Sequence, residues 1–173
     1  NLSPSKFFHK KFCLCKGEFI SHAAEMELKL KISTKGRYGL RAMLDLAYHS
    51  KAENVPLSII AKRQQVSEKY MEQVFSLLKK NGLVIGSKGA LGGYMLSNKP
   101  ENVTVGDVLT ALEGDLAIVP EKVHEENENN HEENIMDSYL YDTVWRKVNE
   151  KIYNIVSTTS LQNLLDEHAE KFE

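Results

Sequence analysis

Cysteine is scarce in this chain of 173 residues, which holds two, Cys13 and Cys15, both near the N-terminus. A disulfide scaffold is therefore excluded, and a reducing compartment, the cytoplasm, fits the composition. Long apolar runs are also missing: no stretch approaches the ~20 residues that a membrane helix needs, so we expect no membrane role. Glycine-elbow serines, Cys/His pairs in the folded part and paired carboxylates in a plausible cleft are absent as well, which argues against an enzyme.

Charge of one sign is unevenly distributed along the chain. Residues 26–99 hold 13 Lys/Arg against 5 Asp/Glu, whereas residues 100–173 hold 5 against 17. A basic half joined to an acidic half indicates a module that binds a polyanion, with a second unit attached to it. An accidental asymmetry in a soluble protein is the alternative that charge alone leaves open.

The first 25 residues differ from the rest in their pattern of apolar and charged residues. Phe7, Phe8 and Phe12 are interrupted by His9, Lys10 and Lys11, so the continuous apolar core of a secretory signal is missing. We interpret residues 1–25 as a leader, either a tag or an upstream-translated segment, that is not part of the fold. The Cys-x-Cys pair within it is weak support for a metal site, because a lone pair lacks further ligands.

Three helices and a hairpin are predicted after this leader. Apolar residues at helical spacing predict a helix from Lys35 to Ser50, a short one ending at Gln64, and a third from the N-cap Ser67 to Lys80. Two short strands, 83–85 and 94–96, flank the glycine-rich loop 86–93. This order is typical of a winged helix-turn-helix.

The C-terminal part is predicted to connect and to dimerise. Thr104 caps a helix over 105–112, an acidic loop covers 121–136, and Asp137 opens a long helix that ends near Val156. Five apolar residues on that helix follow a 4-3-4-3 spacing typical of helix–helix packing: Tyr141, Trp145, Val148, Ile152 and Ile155. A second subunit is the expected partner, and packing within the same chain is the alternative. The predicted fold class is thus mainly α with a small β-hairpin, divided into a DNA-binding domain (26–100) and a connecting and dimerisation unit (101–173).

The candidate DNA contacts lie on the third helix, in the loop and on the first helix. Glutamine can read adenine and glutamate can accept a hydrogen bond from cytosine, which suits Gln73 and Glu72 on a helix that enters the major groove. An ordinary solvent face is the alternative for these two. A cation on a glycine-rich tip suits a narrow minor groove. The full set is Lys31, Lys35, Arg37, Ser67, Lys69, Tyr70, Glu72, Gln73, Lys88 and Gly89, and Lys29, Lys62 and Arg63 are further candidates for phosphate contacts.

Several separated motifs resemble those of the Rrf2 family of bacterial transcription regulators. They are Lys31–Met43, Ser67–Gln73, Leu78–Leu83, Gly89–Tyr94, Thr104–Val108 and Ala111–Gly114. The resemblance implies a homodimer, a winged helix-turn-helix and a palindromic operator, with Ser67, Lys69, Glu72, Gln73, Lys88 and Gly89 as DNA contacts.

The family's iron–sulfur members carry three cysteines after the position of Pro120, and this chain carries none after Cys15. Because thiolates are the usual cluster ligands, we expect no cluster and no other cofactor. Among cluster-free members the chain is most similar to a repressor of cysteine metabolism, a resemblance that implies cysteine synthase as a partner. We therefore predict a sequence-specific regulator, and a repressor in particular. The alternative is a protein-interaction module whose winged helix no longer binds DNA.

Overall fold

The computed structural model describes residues 32–49, 53–89, 92–120 and 131–172. The predicted leader and residues 121–130 of the predicted acidic loop lie outside these ranges. The elements run in the order α1 (Thr34–His49), α2 (Leu57–Gln64), α3 (Glu68–Lys80), β1 (Val84–Ser87), β2 (Gly93–Leu96), a 3₁₀ turn (Pro100–Asn102), α4 (Val105–Glu113), α5 (His131–Leu140), a π-helical segment (Tyr141–Trp145), α6 (Arg146–Thr158) and α7 (Leu161–Phe172). This confirms a mainly α fold with one small hairpin. No helix within the described ranges is long and apolar enough to cross a membrane.

Helix α1 begins where Ser33 caps it. The Ser33 hydroxyl oxygen accepts hydrogen bonds from the backbone N–H of Lys35 (3.1 Å) and Gly36 (3.3 Å), which satisfies two donors that lack partners within the helix. The buried face of α1 then packs against α4, α2 and α7. Gly39 permits the close approach of α4, because a side chain there would overlap Leu112.

The core is a single apolar cluster inside the winged-helix part. Side chains from α1, α2, α3, the hairpin and α4 contribute to it, and their burial removes apolar surface from water. The largest fully buried members are Phe75, Met43, Leu46, Ile60, Met71, Leu78, Leu161 and Val74. Leu161 is the one that comes from the C-terminal helices.

The hairpin is antiparallel and pairs Val84 with Leu96 and Ser87 with Gly93. Each strand extends one or two residues closer to the tip than the predicted strands 83–85 and 94–96 do. An additional bridge joins Tyr94 to Val55, with backbone N–H to carbonyl oxygen distances of 2.8 and 2.9 Å. The hairpin is therefore attached to the segment that leads into α2.

Backbone hydrogen bonds attach the C-terminal helices to this domain. Thr104 and Asp107 form a capping box at the start of α4. The N–H of Val105 donates to the Thr159 carbonyl oxygen (2.9 Å), and that of Leu161 donates to the Val103 carbonyl oxygen (2.8 Å). These bonds position α7 beside α1 and the start of α4.

The long C-terminal helix begins earlier than the sequence pattern predicts. The predicted acidic loop extends to residue 136, with the helix opening at Asp137, but α5 begins at His131. Its first turn holds no large apolar residue, so the hydrophobic period cannot reveal it, although glutamate is a good helix former. The π-helical segment, which was not predicted, then adds an extra residue to one turn and changes the phase of the side chains that follow.

Candidate nucleic-acid interface

Helices α2 and α3 are joined by a three-residue turn with a left-handed residue in it. Gln65 has φ 57° and ψ 41°, and it is the one non-glycine residue with positive φ in the described ranges. The N–H of Gln65 donates to the Lys62 carbonyl oxygen (3.2 Å), and the N–H of Val66 donates to that of Ala61 (3.1 Å). These bonds end α2 and direct the chain into α3, as a helix-turn-helix requires.

An ion pair holds α2 against α1. The guanidinium of Arg63 donates from Nε to Asp45 Oδ1 (2.9 Å) and from Nη2 to Asp45 Oδ2 (2.8 Å). Paired, nearly parallel bonds of this kind fix geometry as well as charge. Arg63 is one of the predicted phosphate contacts, but its guanidinium is already bound to Asp45.

Ser67 caps α3 and remains exposed. Its hydroxyl oxygen accepts a hydrogen bond from the N–H of Tyr70 (3.2 Å), which leaves the hydroxyl proton available for a phosphate oxygen. The start of a helix carries partial positive charge and unbonded N–H groups, and it therefore favours an anion.

The two faces of α3 differ in polarity and burial. Met71, Val74, Phe75 and Leu78 are buried, whereas the predicted contacts Lys69, Glu72 and Gln73 are exposed. Tyr70 and Leu77 are half-buried at the flanks of the apolar face. The exposed face carries hydrogen-bonding groups of the kind that read base edges.

Tyr70 differs from the other predicted contacts on α3. Its ring packs edge-on against Tyr38, with centroids 6.2 Å apart, and its hydroxyl is buried without a hydrogen-bond partner among the described residues. Burial raises the pKa of the Tyr70 hydroxyl, and the nearby Tyr38 and Glu113 raise it further. This residue therefore faces α1, and a DNA contact from it stays a prediction.

The hairpin of β1 and β2, the wing, carries the predicted cation Lys88 near its tip. Lys88 and Gly89 are exposed, and Gly89 has φ 111°, a conformation that favours glycine. At the base of the wing, an added Cβ on Gly93 would lie 2.5 Å from the Val55 carbonyl oxygen. The absence of a side chain at Gly93 therefore allows the bridge that orients the wing.

Further basic groups lie at the edges of this surface. Arg37 is exposed and Lys35 half-exposed on the first turns of α1, whereas the predicted contact Lys31 lies outside the described residues. Lys79 was not among the predicted contacts. Its Nζ lies 3.5 Å from the Cβ position at Gly86, which places it between α3 and the wing. It lies seven residues, about two helical turns, after Glu72 on the same exposed face, and this spacing is the signal that could have indicated it.

Metal-ligating groups do not converge in the described part of the chain. No cluster of three or more His, Cys, Asp or Glu side chains forms there. The segment after Pro120 offers His124, His131 and glutamates but no thiolate. This donor set does not fit an iron–sulfur cluster, whose irons are held mainly by cysteine.

The sequence profile of the Rrf2 family, described as iron-dependent transcriptional regulators, matches residues 32–167. The chain belongs to the Rrf2 family. A relative from Serratia proteamaculans, the HTH-type transcriptional regulator IscR, is 36% identical over 137 residues, which cover 79% of this chain and 80% of the relative. The predictions of a DNA-binding transcription regulator and of a non-enzyme are thereby confirmed.

Solved structures of Rrf2 regulators share this fold. The structure of CymR, the global cysteine regulator of B. subtilis, superposes with a TM-score of 0.65 at 35% identity and covers 80% of this chain and 98% of CymR. T. potens IscR superposes with a TM-score of 0.64 at 36% identity and covers 83% of this chain and 92% of that protein. The predicted resemblance to a regulator of cysteine metabolism is therefore confirmed as a similarity of sequence and of structure.

Proposed function

We propose that this Rrf2 protein binds a palindromic operator as a homodimer and represses transcription, with α3 in the major groove and the wing in the minor groove. The observation that carries the proposal is the exposed polar face of α3, opposite a fully buried apolar face. A helix held this rigidly can present its side chains to base edges at fixed positions. The wing places Lys88 on the same domain as a second, cationic contact.

Some residues would position the protein on the DNA backbone, and others would read the bases. Ser67 and the first N–H groups of α3, with Lys35 and Arg37, suit phosphate oxygens, which set the register without reading sequence. Gln73 suits adenine and Glu72 suits the amino group of cytosine, whereas Lys69 suits guanine or a phosphate. Since Glu72 is repelled by phosphate, its contribution is to specificity and not to affinity.

An apolar surface on α5, the π-helical segment and α6 supports the homodimer. Large apolar side chains on it are exposed in the single chain: Ile135, Met136, Tyr139, Leu140, Val144, Trp145, Tyr153 and Ile155. Of the predicted seam, Trp145 and Ile155 are exposed, while Tyr141, Val148 and Ile152 are half-buried. Exposed apolar side chains in this number are typical of an interface, and two-fold pairing would place two recognition helices about 34 Å apart.

We also propose that the protein works without a cluster and responds to cysteine supply through a partner protein. The donor set after Pro120 lacks thiolates, and a similar structure is that of a global cysteine regulator. Cysteine synthase is the proposed partner, because the resemblance to a repressor of cysteine metabolism implies it.

The test is a fluorescence-anisotropy titration of the full chain with its own upstream promoter DNA, against a scrambled duplex, at two salt concentrations. Specific binding that weakens strongly with salt is expected, because several phosphate contacts release counterions. Repeating the titration with added cysteine synthase tests the partner, and a change in operator affinity is expected.

Equal weak binding to both duplexes would contradict an operator-binding protein and favour the interaction-module alternative. An operator affinity that cysteine synthase leaves unchanged would contradict the partner and keep the DNA-binding function.

A further inference from the structure

A cavity of about 420 Å³ lies between α1, α2 and α7, and the DNA-binding surface does not use it. Its wall includes Arg41 and Leu44 of α1, Gln64 at the end of α2, and Leu165 of α7. A volume of this size, with both apolar surface and polar side chains in its wall, is in the range of small-molecule sites.

Gln64 is the most unusual residue of this wall. The residue is 8% exposed, and its side-chain oxygen is buried without a hydrogen-bond partner among the described residues. A buried acceptor left without a partner is unfavourable, so a donor is expected to complete it. Gln64 lines the cavity, and the broad terminal torsion of glutamine allows its amide to reorient toward a ligand there.

Arg41 gives the cavity a cationic group. Its guanidinium lies over the Tyr38 ring, 5.3 Å from the centroid, and no carboxylate of the described residues pairs with it. A guanidinium in this situation binds a carboxylate through two hydrogen bonds. Asp45, also in the wall, is neutralised by its ion pair with Arg63.

The remaining wall is partly apolar. Leu44 and Leu165 are half-buried on facing helices, the Tyr48 ring is exposed beside them, and His49 and His168 complete the rim. Together the wall offers one site for an anion, one for a hydrogen-bond donor and an apolar surface.

We propose that this cavity binds a free α-amino acid with an apolar side chain. The carboxylate pairs with Arg41, the ammonium donates to the Gln64 oxygen, and the side chain packs on Leu44 and Leu165. Gln64 directly precedes Gln65, the left-handed residue of the turn into α3. A ligand held by Gln64 therefore biases the orientation of the recognition helix, a consequence that rests on the proposed DNA-binding function.

The test is calorimetric titration of the full chain, without DNA, with L-leucine, L-methionine and L-phenylalanine as probes. Binding of at least one is expected. For L-leucine, its amide (which lacks the carboxylate) and 4-methylpentanoate (which lacks the ammonium) should each bind about tenfold more weakly or worse.

Two variants assign these differences to residues. Arg41→Gln should remove the preference for leucine over its amide, and Gln64→Met should remove the preference for leucine over 4-methylpentanoate. Arg146→Gln, an arginine exposed on α6, is the matched control and should change neither preference. Thermal unfolding of each variant separates lost folding from lost binding.

Dissociation constants above about 10 mM for all three probes would overturn the proposal. So would variants that fold and keep both preferences. Since this titration contains no DNA, its outcome does not depend on operator binding. If leucine binds and operator affinity is unchanged by it, the ligand site stands and the effect on the recognition helix is wrong.

Discussion

The winged-helix part (α1 to α4) and the C-terminal arm (α5, the π-helical segment and α6) differ in how far their apolar side chains are buried. From α1 to α4, apolar side chains converge into one core, and Phe75, Met71 and Leu46 are fully buried. Along α5, the π-helical segment and α6, no described residue is buried. The first region is complete as a single chain, whereas the second carries an apolar surface that needs a covering.

The largest expected effect comes from placing a charge on the arm. Trp145→Asp should dissociate the proposed homodimer, because each of the two carboxylates would cost about 3–5 kcal/mol in an apolar interface. Sedimentation velocity should then show a monomer, and circular dichroism should show an unchanged helix content. A sedimentation profile of Trp145→Asp that is still dimeric would show that the interface lies elsewhere on the protein.

Truncation of a buried ring should break the winged-helix part instead. Phe75→Ala should lower the free energy of unfolding by about 3–5 kcal/mol, since it removes a buried side chain and leaves a cavity. Urea unfolding of the monomeric Trp145→Asp background measures this without a contribution from dimerisation. Ile155→Ala in the same background is the matched control, and a loss comparable to that of Phe75→Ala would contradict the contrast between the two regions.

Removal of the cation at the wing tip should affect DNA binding alone. Lys88→Ala should weaken operator binding by about 1–3 kcal/mol if the lysine enters the minor groove. Lys99→Ala removes the same charge from an exposed position beyond the hairpin and should have a smaller effect. Equal operator affinities for Lys88→Ala and the unsubstituted protein, by anisotropy, would remove the wing from the interface.

The smallest expected effect concerns Tyr70. Tyr70→Phe should raise the free energy of unfolding by up to about 1 kcal/mol, because it deletes a buried hydroxyl that lacks a partner.

The pKa of Tyr70 is raised in the folded state. The unfolded chain therefore ionises first, and stability falls as pH rises above the ordinary tyrosine pKa of about 10. Urea midpoints between about pH 9 and pH 11 should show a shallower fall for Tyr70→Phe. An operator affinity reduced by this substitution would instead restore Tyr70 as a DNA contact.

Local sequence signals were sufficient for most of the winged-helix part. Ser33, Ser67 and Thr104 cap the helices that the pattern predicts, because a hydroxyl before an apolar period is a signal carried within a few residues. The start of α5 and the π-helical segment escaped prediction. The start of α5 lacks large apolar residues, and the π-helical segment interrupts the helical spacing of apolar residues on which such predictions depend.

The sequence by itself determined the helix and strand order, the capping residues and the exposed candidates Lys69, Glu72 and Gln73, because these follow from short-range periodicity and composition. The tertiary structure alone decided that Arg63 binds Asp45, that Tyr70 turns its hydroxyl inward and that Gln64 lines a cavity with α7. Each of these depends on residues far apart in the chain. Their proximity arises from the packing of helices, which local pattern does not encode.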